Sequence, residues 1–113
     1  MLLTLPLPPS VNAAFTNVPG KGRVRTAKYR EWASEAGWLI IMQRAGQPMI
    51  EGPFSAIINV SASMDIDNVV KPCMDLCQSM GLVTNDRNMT ELHVYREAGP
   101  PGVRIQLTAL KPL

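Results

Sequence analysis

Four side chains in this sequence have the types and spacing to do chemistry together: Asp65, Asp67 and Lys71 in "MDIDNVVKPCMDLCQSMG" (64–81), and Asp86 in "LVTNDRN" (82–88). Clustered carboxylates repel one another unless a cation neutralises them. A hard divalent ion with oxygen ligands does so, and Mg²⁺ takes a few carboxylates and keeps several waters. Held that way, it can activate a water, grip a phosphate oxygen and stabilise a leaving alkoxide. Lys71, four residues after Asp67, falls on the same helix face. There it can stabilise the extra charge of a phosphorane-like transition state. The set suits phosphodiester hydrolysis better than acyl transfer: His93 is the one histidine, in a strand pattern with no matched nucleophile. A plainer reading stands beside this one. Asp67 is then a helix N-cap, Asp65 a turn residue and Asp86 part of an Asn-Asp turn. The calcium-loop pattern fails, because Val69 and Val70 interrupt the polar positions.

The elements that must position these residues follow from periodicity. "LLTLPLPPS" opens with a short strand that its prolines end near residue 6. "NVPGKGRVRT" reads as a basic loop. From Thr26, an N-cap residue, apolar positions 29, 32, 33, 36, 39 and 40 predict a helix, stopped by Gly46 and Pro48. Its Trp32 and Trp38 are expected in the core and on a dimer surface. "GPFSAIINVSA" alternates and predicts a strand ending just before Asp65. A second helix is expected from Asp67 or Asn68 to Met80, with Gly81 as its stop. "MTELHVYREA" and "VRIQLTALK" read as two strands joined by the turn "GPPG". The fold expected is α/β or α+β: one small domain over residues 1–113, with a mixed β-sheet and two main helices packed on it.

Composition is globular, with 46% hydrophobic and 18% charged residues. No apolar run approaches the roughly 18 residues of a membrane span. The opening "MLLTLPLPPSVN" lacks a basic segment and does not read as a signal peptide. Net charge is only +2, but Lys21, Arg23, Arg25, Lys28 and Arg30 fall in one ten-residue window. Such a window can meet a polyanion such as DNA; as a bland alternative, it is a solvated loop and helix start. Cys73 and Cys77 share a helix face and are expected as buried core thiols in a reducing cytoplasm.

The motif "DIDNVVKPCMDL" (65–76) resembles the Asp-x-Asp-Asn-x-x-Lys-(Pro)-x-x-Asp-x-Leu signature of the RusA-type Holliday junction resolvases, endodeoxyribonucleases often carried by bacteria and prophages. "ND" at Asn85-Asp86 falls at the spacing of that family's next acidic position. "LPLPPSVN" (5–12) resembles its Pro-Pro-Ser-x-Asn opening, and "GRVRTAKYREW" its basic segment before the first helix. The resemblance runs in order along most of the chain. It implies a mixed α/β fold, a homodimer, dependence on Mg²⁺ (or Mn²⁺), and paired nicks across a four-way DNA junction in recombination and repair. By position it implies that Asp65, Asp67 and Asp86 are catalytic metal ligands and Lys71 the catalytic lysine. Asn68 matches the motif asparagine, expected to orient a neighbour or cap the helix. Asp75 also matches; it is expected two turns away from the site, in a structural role. There are two departures: "NVSASM" stands where some relatives carry arginines, and Asn85 where a second acid is often seen. DNA contacts are therefore expected from Lys21, Arg23, Arg25 and Lys28.

Two rival functions stay open: a broader nuclease on flaps or forks, and a non-catalytic DNA-binding module using the basic window. A binder has no need of Asp65, Asp67 and Asp86, whereas the enzyme fails without them.

Overall fold

Prolines at 6, 8 and 9 fix where the first strand can end, and in the computed structural model, which describes residues 1–111, β1 spans Leu2–Leu5. A single turn of helix, α1 (Val11–Ala14), follows, with the Ser10 hydroxyl accepting from the Ala13 N–H.

The segment expected as a basic loop is instead a β-hairpin, β2 (Phe15–Val18) against β3 (Gly22–Arg25), forming a two-stranded sheet of its own. The turn explains it. The Lys21 N–H donates to the Val18 carbonyl, with Pro19 at the second position and Gly20 at φ 80°, the arrangement of a type II turn. "RVR" then alternates as a strand, so Arg23 and Arg25 fall on one face together with Phe15.

Helix α2 (Ala27–Arg44) begins at Thr26, whose hydroxyl accepts from the Tyr29 N–H, and ends in a left-handed Ala45 followed by Gly46. Its inner face buries Tyr29, Trp32, Ala36 and Ile40, at the helical spacing that the sequence carries. The Trp32 indole donates to the Pro6 carbonyl, tying the helix to the end of β1. Trp38 lies outside, 66% exposed beside Ile41 and Met42.

Strand β4 (Phe54–Ser61) is central. Phe54, Ala56, Ile58 and Val60 are fully buried, each large one contributing about 1.5–3 kcal/mol. Helix α3 (Asp67–Ser79) buries Val69, Cys73, Met74, Leu76 and Cys77. It stops in a Schellman motif: Leu82 N–H to the Cys77 carbonyl, and Gly81 N–H (φ 72°) to Gln78. Burial pushes both thiols up, Cys77 to about 12.

A 3₁₀ turn (Asp86–Asn88) leads into β5 (Met89–Arg96), and β6 (Gly102–Ala109) completes the sheet. The sheet order is β1-β6-β4-β5. The last two strands are therefore not paired with each other: the "GPPG" connection crosses β4, and β6 lies antiparallel between β1 and β4. The reason is burial. β4 is the most apolar strand and takes a neighbour on each side, while β5, largely exposed, stays at the edge. β4 and β5 run parallel, joined through α3. The result is an α+β domain with a mixed sheet and two main helices. Among the described residues, no helix is long and apolar enough to cross a membrane.

The two sheet edges differ. At β1, Gln43 of α2 bonds to both the N–H (2.7 Å) and the carbonyl (2.8 Å) of Thr4. β5 carries no proline, and Leu92 and Tyr95 stand exposed on it.

Candidate active site

The backbone between β4 and α3 determines where the motif points. β4 ends at Ser61, and the chain bends through Met64 and Asp65. The Asp65 carbonyl accepts from the Asn68 N–H (3.2 Å), and the Ile66 carbonyl from the Val69 N–H (3.2 Å). Ile66 occupies the cap position and, among the described residues, no side chain caps the helix. Asp67 is therefore not the N-cap that the plainer reading made it. Its exposed carboxylate sits in the first turn, where the helix dipole favours negative charge. Pro72, within α3, has no N–H for the Asn68 carbonyl, the acceptor four residues before it.

One turn further on, the Lys71 ammonium lies 2.9 Å from Asp75 and 3.4 Å from Asp86. The Asp75 bond, then its charge, then the weaker partner Asp86, hold Lys71 above the usual lysine value. The Lys71 side chain is 74% exposed. A pair this exposed contributes only about 0–1 kcal/mol, so fold stability is not what the arrangement serves. Asp86 is itself held from two sides: its N–H donates to the Gln78 Oε1 (2.9 Å), and Asn85 Oδ1 accepts from the Arg87 N–H (2.9 Å). The loop before it is pinned to Ile50, whose N–H and carbonyl bond to Leu82 and Thr84.

A pocket of about 340 Å³ opens where α3 faces the hairpin. Asp67, Asn68, Lys71 and Asp75 line one wall; Phe15, Arg23 and Tyr29 stand on the other. The Arg23 guanidinium lies over the Phe15 ring, 4.5 Å from its centroid, and Arg25 over Tyr29 at 4.7 Å. The strand register sets Arg23 diagonally across Phe15, whereas Arg25 reaches from the end of β3 over Tyr29 of the following helix.

The structure thus brings together Asp67, Asn68, Lys71 and Arg23 at one pocket, with Asp86 reached through Lys71. Asp65 sits exposed at the bend, Lys21 at the hairpin turn, and Lys28 in the first turn of α2. The three motif carboxylates do not meet as a group: among the described residues, no three Asp, Glu, His or Cys side chains converge to hold a metal ion. Topology accounts for this. With β4 and β5 parallel, α3 returns the chain from one end of the sheet to the other, so Asp65 and Asp67 begin the return and Asp86 ends it. The donors still suit Mg²⁺, which is commonly held by one or two carboxylates and completed by water and phosphate oxygens.

Asp75 belongs at this pocket rather than two turns away from it. The signal was present: 67, 71, 75 and 78 fall on one helix face. Gln78, Phe15 and Tyr29 were not picked out as site residues from the sequence.

Compared with known proteins, residues 6–108 match the family model described as Endodeoxyribonuclease RusA. No curated protein matches the chain. The matched span runs from the end of β1 into β6 and contains every residue of the pocket.

Proposed function

The chain belongs to the RusA endodeoxyribonuclease family, and from that premise we propose that it resolves Holliday junctions by paired, Mg²⁺-dependent phosphodiester hydrolysis in DNA recombination and repair. The observation that carries this is the Lys71 ammonium bridging Asp75 and Asp86 beside Asp67, in a pocket overlooked by Arg23. Carboxylates that can face a divalent ion and cations that can face a phosphodiester stand side by side there.

Asp67, at the pocket, would hold Mg²⁺ or Mn²⁺ together with waters and phosphate oxygens, Asp65 and Asp86 joining it only if the bend or the return loop shifts toward it. The metal would supply a water of lowered pKa and a counter-charge for the phosphate. Lys71, kept protonated and aimed by Asp75, neutralises charge that grows on the phosphoryl oxygens. Asn68 orients the neighbouring aspartate. Lys21, Arg23, Arg25 and Lys28 lie along the hairpin and the start of α2, and bind flanking phosphates.

A four-way junction has near two-fold symmetry, which a symmetric dimer matches with one site per strand. β5 suits the dimer contact. Among the described residues its long edge pairs with no other strand, and Leu92, on the core-facing side opposite Ala56, stays 41% exposed. Two such strands running antiparallel about His93 set Leu92 against Val94 of the second copy.

The test is cleavage of a labelled four-way junction, a matched duplex and a flap, each with and without Mg²⁺. Symmetric nicks in the junction alone, only with metal, support the proposal. Equal cutting of flaps makes the protein a general branched-DNA nuclease. Binding without cutting under every condition makes it a DNA-binding module.

A further inference from the structure

A site that handled only phosphate and metal would need a polar cleft, yet much of this pocket is apolar. Pro9, Ala14, Phe15 and Pro72 line it alongside Asp67 and Lys71. We propose that the pocket takes one unstacked nucleobase of the branched DNA, adjoining the reacting phosphate, and that Arg23 laid over Phe15 is the surface on which that base stacks. The proposal rests on the nuclease reading for its substrate.

Three observations lead here. The first is the arginine. One side of its guanidinium is taken by the Phe15 ring at 4.5 Å, while the residue as a whole is exposed and borders the cavity. A guanidinium backed by a ring is held flat, and its free face can stack on a base, as arginine planes do for unstacked nucleotides. The register of the hairpin fixes this placement, since Asn17 opposite Arg23 and Phe15 opposite Arg25 set Arg23 diagonally across Phe15.

The second is size and shape. At about 340 Å³ the cavity is at the small end of ligand pockets, too confined for a duplex but open to a single planar group. The third is the polar set at its rim. Asn68 presents an amide that can both donate to and accept from a base edge, and Lys71 and Asp67 stand next to it on the same helix. A base seated on Arg23 would thus place its own phosphodiester against the residues of the chemistry. Unstacking costs least at mismatched or single-stranded positions, and a branch point supplies similarly weakened stacking. The pocket would then contribute both to junction selectivity and to a preference for particular bases at the cut.

The experiment uses four-way junctions carrying a single abasic residue, moved in turn through the positions flanking the cut. Affinity is read by anisotropy in Ca²⁺, and single-turnover cleavage in Mg²⁺. One position is expected to weaken binding or cleavage by roughly 5- to 150-fold, the factor that corresponds to losing one stacked base at about 1–3 kcal/mol. That penalty should vanish in Arg23→Lys, which keeps the charge but has no planar face. It should shrink in Phe15→Leu and return in Phe15→Tyr. Abasic penalties that are equal at every position, or identical in the wild type and Arg23→Lys, overturn the proposal. Because binding is read separately, a position-specific penalty without any cleavage keeps the base pocket and removes the nuclease reading. Cleavage indifferent to the base does the reverse.

Discussion

The Gln78 side-chain oxygen accepts the Asp86 backbone N–H at 2.9 Å, so a residue of α3 fixes the position of a carboxylate eight residues later. Gln78 is exposed and has no apolar role. Gln78→Leu should therefore cost stability only by about one hydrogen bond, roughly 1 kcal/mol. Its effect on cleavage should be larger, since a displacement of about 1 Å at a reacting group can cost up to ~100-fold. The loss should fall in kcat with KM little changed, and Gln78→Glu, which keeps an acceptor, should recover most of it. Steady-state kinetics of both variants decide the matter; a Gln78→Leu enzyme of normal kcat frees Asp86 from this role.

Asp67→Asn should separate metal binding from a mere charge–dipole contact in the first turn of α3. If Mg²⁺ binds the folded chain with a Kd of about 1 mM, 10 mM adds roughly 1.4 kcal/mol by mass action. That is on the order of 5 °C in Tm for a domain of this size. The variant should lose that shift and, through one missing interaction of about 3–4 kcal/mol, some 10²–10³ of the rate. Melting curves in EDTA and in Mg²⁺ read the first effect without any activity assay.

Neutralising Arg23, Arg25 and Lys28 together should weaken binding to junction and duplex alike. The slope of log K against log salt should flatten by up to about three units, one for each phosphate that the variant no longer neutralises. An unchanged slope would move the DNA surface away from the hairpin.

Placing a charge on the open edge should break the proposed dimer. Leu92→Lys puts an ammonium where the second copy's Val94 would pack, a device by which natural edge strands avoid pairing. Sedimentation should show a monomer with the fold retained, and junction cleavage should lose its symmetry.

The buried thiols give the protein an alkaline weakness. Unfolded, Cys73 and Cys77 ionise near their ordinary value of 9.0; folded, both are held above it by burial. Their contribution to stability is thus complete below pH 9. Above it the unfolded state binds fewer protons, and stability falls until the folded values are reached. By about pH 10.5 the two thiols together should cost on the order of 4 kcal/mol relative to pH 8. Urea midpoints of the wild type should drop over that interval more than those of Cys73→Ala/Cys77→Ala. Parallel declines would place the thiols in water.

Long periodic elements were legible in the sequence and nonlocal pairings were not. The residues of α2, β4 and α3 announce themselves because each buries one face at a fixed period. The hairpin is hard to read because arginines occupy half of β3 and its turn residues, Pro19 and Gly20, are equally at home in a loop. Nothing local says that β6 inserts between β1 and β4; that order follows from β4 needing cover on both sides. The same nonlocality governs the site. Lys71 and Asp75 were readable as helix neighbours, but their meeting with Asp86 depends on where the return loop docks on Ile50 and Gln78.

The hairpin's separation from the main sheet divides the molecule by how readily its backbone opens. β2 and β3 bond only to each other as strands, and two-stranded ribbons of this length are marginal by themselves. Their tether to the rest includes the bonds of Thr26 to the Ala13 and Ala14 carbonyls and the tilted packing of the Phe15 ring on Tyr29. Amide exchange in β2 and β3 should therefore be fast, while α3 and β4 exchange only near global unfolding. Asp67, Lys71 and Asp75 are thus carried on the slow unit and Arg23 on the fast one. DNA would meet a rigid cutting surface under an arm that is free to lift, and the arm's closing should appear as protection gained by β2 and β3 alone when a junction binds.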